Sequence, residues 1–267
     1  MASGDNLIAN RLVSISERRV YREAAEIALL AVAFLLYFIV RGNVIDRPDV
    51  ALANARQLVD WEQALGIHAE AAWQDAILGQ ELLIRFFNFV YFWLDFPLIA
   101  ALGLWMYFWR RAQYTFSRDA VLFSGALALV AYYLFPLAPP RLLPESGLVD
   151  TLQIYNNASY QAQSTEFFVN PYAAMPSLHV GWAVLIALGV TRALPGKRIV
   201  LVLAVAHVVA QSTSTVFTGN HYFLDWAGGL VAAAGGLAFA ALMQRRGYEL
   251  LKRRFRRGHP TWPIGTG

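Results

Sequence analysis

The sequence predicts an all-α integral membrane protein, a six-transmembrane-helix bundle with amphipathic interfacial helices. Three observations predict it. The chain is 57% hydrophobic and only 15% charged, with a mean hydropathy of +0.42, where a soluble domain carries about 25% charge. Six apolar runs approach the roughly 20 residues that a spanning helix needs. The basic residues fall in clusters between those runs, as topology signals do.

The runs come in order at about 24–41, 83–109, 118–136, 177–193, 198–218 and 222–243. The first, AAEIALLAVAFLLYFIVR, starts too far into the chain and lacks a small-residue cleavage site, so no cleavable signal is expected. Residues 46–82 mix charges with apolar residues at helical spacing, as helices lying on a membrane surface do. Residues 137–176 hold five prolines and read as a long functional loop. The expected organisation is a cytoplasmic N-terminal segment over 1–23, one membrane domain over 24–243 and a cytoplasmic basic tail over 244–267. Trp61, Trp73, Trp93, Trp105 and Trp109 read as interfacial anchors or core.

Placing both termini in the cytoplasm puts 17 of the 22 basic residues inside. The long loop and the turn at Gly219–Asn220 then face outward. The tail LLKRRFRRGH suits anionic lipid headgroups, and equally a plain positive-inside anchor. The net charge of +4 and pI near 9.4 come from these clusters, so nucleic acid is not an expected partner. The chain has no cysteine, which excludes disulfides and thiolate metal sites.

Three places put polar groups at membrane depth, where they are costly and point to function. Pro139-Pro140-Arg141 sets an arginine at an outer helix end. Its planar fork suits a phosphate, although snorkelling to headgroups would place it there too. Met175-Pro176-Ser177-Leu178-His179 opens the fourth run, with Ser177 as N-cap and helix amides pointing at an anion. Gly219 to Asp225, GNHYFLD, opens the sixth. There His221 and Asp225 stand i,i+4 on one helix face, so the carboxylate can hold one imidazole nitrogen and leave the other free. That is the orienter-plus-nucleophile arrangement of a triad, and also of a structural brace.

Combined, these parts suffice for phosphoryl transfer without a metal. Arg141 and the amides after Ser177 cradle the phosphoryl oxygens, His221 attacks, and His179 protonates the leaving oxygen. Outside the His221–Asp225 pair, no acid or histidine cluster has ligand spacing, so neither metal nor cofactor is expected. Asp95, inside the second run, lines the substrate cavity or pairs with a polar neighbour. His207, Gln211, Ser214 and Thr218 form a stripe read as packing, and Gly228-Gly229 and Gly235-Gly236 as close helix contacts. Two other classes use the same residues: a b-type haem held by His179 and His221, and an anion transporter without turnover.

The order PPR, PSLH, HYFLD resembles the type 2 phosphatidic acid phosphatase (PAP2) superfamily. The nearer likeness is to its inositolphosphotransferase and inositol phosphorylceramide synthase branch, over roughly 50–243 and including NARQLVDWEQALGIHAE. The resemblance implies a membrane phosphotransferase or phosphatase acting on a lipid-linked phosphate, with water or a polyol as acceptor. It implies His179 as acid, His221 as nucleophile and Asp225 as its partner. The superfamily's lysine before the first-motif arginine is missing here. Thr215 stands where an arginine precedes the nucleophile, and Ser177-Leu178-His179 replaces serine-glycine-histidine. Arg141 is left as the main cation, which favours a diester over a doubly charged monoester.

Overall fold

The computed structural model describes the backbone of residues 2–156 and 170–250 and the side chains of 20–155 and 170–250. Ten α-helices run in the order α1 (Ala2–Val44), α2 (Pro48–Leu65), α3 (Glu70–Leu78), α4 (Glu81–Trp93), α5 (Phe96–Trp109), α6 (Arg111–Leu134), α7 (Thr151–Asn156), α8 (Leu178–Ala193), α9 (Arg198–Phe217) and α10 (Phe223–Leu242). Among the described residues there is no strand, only a single bridge between Leu137 and Ala173.

Helix starts and stops follow local chemistry. Pro48 opens α2, where its missing N–H costs nothing. Gly66 ends it at φ 69°, donating its N–H to Gln63 while Ile67 donates to Glu62, the close of a left-handed cap. The second apolar run is not one helix. Pro97 has no N–H for the Trp93 carbonyl and its ring crowds that turn, so the chain breaks at Leu94–Asp95 and bends by 46°.

Among the described residues, three helical stretches are long and apolar enough to cross a membrane: Val20–Val44, Arg198–Phe217 and Phe223–Leu250. The bent pair α4–α5 makes a fourth if it is one span. These apolar helices suggest membrane association. The count falls short of six for two reasons. The α6 helix carries Arg111, Arg118 and Asp119, and α8 has only 16 residues, about 24 Å of rise against a hydrocarbon core of about 30 Å. The first helix is also longer than expected, running from Ala2 through the segment read as a separate N-terminal piece. The tail beyond Leu250 lies outside the described residues, as does its expected contact with headgroups.

The bundle centres on α6, α8, α9 and α10. The paired glycines of α10 permit backbone contact, as their spacing suggests. A Cβ on Gly229 would lie 2.2 Å from the Ser177 carbonyl oxygen, and one on Gly236 would lie 2.3 Å from that of Ala120. Gly181 of α8 meets Gly229 in return, at 2.6 Å. The polar stripe on α9 is internal as expected: Gln211, Ser214 and Thr218 are buried, with the two hydroxyls bonded back to carbonyls one turn earlier.

The α2 helix packs one face inward, with Ala51, Ala55 and Leu58 forming a core with Leu137, Ala138, Leu143, Ala174 and Tyr222, while α3 packs on α4 and α9. They therefore close the end of the bundle from which the long loop emerges. In the described part of that loop, α7 is tied to α4 through Asn88 and Thr151, and Gln74 of α3 clips Val149 and Phe217.

Candidate active site

His221 sits in the short link between α9 and α10. The turn begins at Gly219, whose φ of 70° strains other residues, and where a Cβ would lie 2.8 Å from the Val149 carbonyl oxygen. The Thr215 carbonyl accepts the N–H groups of Asn220 and His221, which holds the link against the end of α9. The imidazole Nδ1 then lies 2.8 Å from the Ala174 carbonyl oxygen and 3.1 Å from Asp225 Oδ2. A carbonyl only accepts, so Nδ1 carries the proton and Nε2 holds the lone pair. Asp225 Oδ2 also accepts the Tyr222 N–H, and the Asp225 backbone oxygen accepts the Ser177 N–H at 2.9 Å. Burial holds the His221 imidazole down to about 3; the nearby Arg141 charge acts the same way, and the Ala174 bond opposes it.

His179 stands in the first turn of α8, with its ring 5.4 Å from that of His221. It stacks on Tyr91 at 4.3 Å, and its Nε2 lies 3.4 Å from Asp95 Oδ2. Asp95, expected at the substrate or beside a polar neighbour, takes the second place: the helix break turns it toward His179. The 5.4 Å separation is tighter than two imidazoles keep on one haem iron, which counts against the haem reading.

Arg141 is close by but engaged. Its backbone N–H donates to Gly219, Nη1 donates to the Asn220 side-chain oxygen, and Nε lies 3.2 Å from Asp150 Oδ2. No described contact takes Nη2. Ser177 corrects the capping expectation: it occupies the N-cap position, yet its hydroxyl makes no cap bond and is buried without a partner. Thr215, where the superfamily pattern has an arginine, accepts a hydrogen bond from the Trp226 indole.

Sequence reasoning missed two acids and a histidine. Glu62 of α2 and Glu70 of α3 are fully buried. Glu62 Oε1 accepts the Leu224 N–H at 2.7 Å and Glu70 Oε1 the Phe223 N–H at 3.0 Å, so together they cap α10. Burial and the neighbouring Glu70 push the Glu62 carboxyl up to about 9. With His68 they bring three ligand-type atoms within 4.8 Å of one another. This overturns the expectation that no such cluster exists beyond the His221–Asp225 pair. The signal was present: Glu62 continues the 51, 55, 58 face of α2, a buried heptad-like stripe.

One buried cluster thus joins a histidine with a free Nε2, a second histidine beside a carboxylate, an arginine and the amide end of α8. Comparison with curated proteins and with solved structures returned no match. The family model of the PAP2 superfamily matches residues 56–239. That match covers more than half of the chain and includes each residue of this cluster. The chain therefore belongs to the PAP2 superfamily, membership of which suggests phosphatase or phosphotransferase activity on lipid phosphates.

Proposed function

We propose that the protein is a membrane phosphotransferase or phosphatase that acts on a lipid-linked phosphate through a phosphohistidine, without metal in the reacting pocket. The observation that carries this is the tethered His221 ring. With Nδ1 held by Ala174 and Asp225, Nε2 is an oriented, neutral nucleophile.

In the first half-reaction His221 Nε2 attacks phosphorus. The P–N bond forms as the P–O bond to the lipid alcohol breaks. The protonated His179 gives its Nδ1 proton to the leaving oxygen, while Asp95 at Nε2 balances the imidazolium charge. In the second half, neutral His179 takes a proton from water or a polyol hydroxyl. That oxygen attacks phosphorus and the P–N bond breaks. Arg141, the Asn220 region and the first amides of α8 stabilise charge on the phosphoryl oxygens. Asp225 answers the positive charge that develops on His221.

The basic-residue bias supports six crossings in this reading, with α6 and α8 spanning inside the bundle, cytoplasmic termini and the pocket on the extracytoplasmic face. Arg141, partly satisfied by Asp150, supports a singly charged diester donor and transfer of a phospho-polyol group of the inositol-phosphate kind. The test is incubation with labelled lipid diesters and monoesters, with and without inositol, and identification of products. With water alone, release of phosphate from a monoester or of the phospho-polyol from a diester assigns a hydrolase, and label moved onto inositol or another added alcohol assigns a transferase. Saturable binding with no turnover of any donor sinks the enzyme reading and leaves an anion transporter.

A further inference from the structure

We propose that Glu62, His68 and Glu70 form a site for a divalent transition cation of the zinc class, seated over the first turn of α10. His68 Nδ1 lies 3.1 Å from Glu70 Oε2 and 3.4 Å from Glu62 Oε2. Ligand atoms about 2.0–2.2 Å from a tetrahedral zinc are separated from one another by roughly 3.3–3.6 Å. Both His68 distances are therefore close to ligand spacing, and all three ligand atoms lie within 4.8 Å of one another.

The carboxylates divide their oxygens in a way that fits. Each Oε1 is occupied by an α10 amide, Leu224 for Glu62 and Phe223 for Glu70. Each Oε2 is turned toward His68. Glu70 is fully buried, and its Oε2 accepts no hydrogen bond. Buried carboxylates persist when they are paired or bound to a metal. Among the described residues, the only ion-pair partner of either acid is His68, and one imidazole balances at most one charge. The side chain of His68 is 26% exposed, which gives the cation an entry and its fourth position a water. One imidazole with two carboxylates suits zinc better than magnesium or calcium, which take all-oxygen sets.

A cation there ties α2, the α2–α3 link and α3 to the N-terminus of α10. Asp225 belongs to that same first turn, and His221 precedes it. The ion positions the nucleophile's helix and takes no part in the bonds that break. The amides are its outer support, as second-shell donors are in zinc sites.

The test uses full-length, tag-free protein in detergent, stripped with a chelator and titrated with zinc. Bound metal is counted by mass spectrometry and stability by melting temperature. One equivalent should bind and raise the melting temperature. His68→Ala, at a position about a quarter exposed, should weaken binding at least tenfold and remove most of the rise. His221→Ala should leave both unchanged. Zinc that neither binds nor stabilises overturns the site and leaves a proton between the two carboxylates. So does binding that is unaffected by His68→Ala, or binding that is lost in His221→Ala. None of these readouts uses turnover.

Discussion

Asp95 Oδ2 lies 3.4 Å from His179 Nε2, so each histidine of the pocket has its own carboxylate, on opposite ring nitrogens. In the proposed mechanism His221, held at Nδ1, reacts through Nε2, and His179, held at Nε2, moves protons through Nδ1. Asp95→Asn removes the charge but keeps the size. It should lower turnover of lipid donors on the order of 10²-fold, within the range of general acid catalysis. A nitrophenyl ester, whose leaving group needs no proton, should be largely spared. An equal loss on both donors would place Asp95 at the substrate instead.

The two histidines should fail differently. His221→Ala should abolish turnover and the acid-labile phosphoenzyme. His179→Ala should keep phosphoenzyme formation from an activated donor and lose it from a lipid. Asp225→Asn should cost on the order of 10⁴ in turnover, as orienters in serine triads do. Rapid acid quench with a labelled donor reads all three. Label trapped in His221→Ala but absent from His179→Ala would exchange their roles.

Acidity offers another check. An imidazole attacks only when neutral, that is, above its pKa, and burial holds His221 near 3 against an ordinary value of 6.5. Phosphoenzyme formed from an activated donor should therefore stay constant between pH 8 and pH 5. A fall with a midpoint near 6.5 would mean that His221 is solvated and ordinary.

Backbone contact between α8 and α10 predicts a stability effect. A methyl on Gly229 would press on the Ser177 carbonyl at 2.2 Å. Gly229→Ala should destabilise by about 1–3 kcal/mol, the usual range for overpacking, read as a lower melting temperature. Gly103→Ala is the control, since a Cβ there meets nothing within 4 Å.

Topology is tested by labelling. Glu145 is exposed, its side chain 50% accessible, whereas the Ser146 hydroxyl is bonded to the Pro140 carbonyl. A cysteine at Glu145 should react with an impermeant thiol reagent in intact cells. Reaction only after lysis would reverse the orientation.

Much of the pocket was legible because its contacts are local. His221 and Asp225 are one helical turn apart, and the periodicity of a helix alone brings them together. Asp95 and His179 are 84 residues apart, and their meeting depends on the break before Pro97, which hydropathy does not register. Glu62 and Glu70 stand among charges that resemble a solvated face. Only the packing of α2 over the long loop shows that this face is interior. That long apolar helices number fewer than the six expected spans has a related reason. The inner helix α6 keeps charges that pair within the protein: Arg118 pairs with Asp119 of the same helix and with Glu26 of α1.

The contact of Gly181 with Gly229, closed at one end by the bond from Ser177 N–H to Asp225, leaves α8 and α10 no side-chain cushion along which to slide. His179 rides on α8 and His221 on the link that leads into α10, so the helix contact fixes their spacing. In the proposed reaction such a fixed jaw does not exchange a departing alcohol for an incoming hydroxyl by opening. Traffic has to pass alongside, between the immobile pair and the segments packed over it. Choice among acceptors then belongs to the passage rather than to the jaw, and substitutions that alter acceptor preference should map to the residues around the rim.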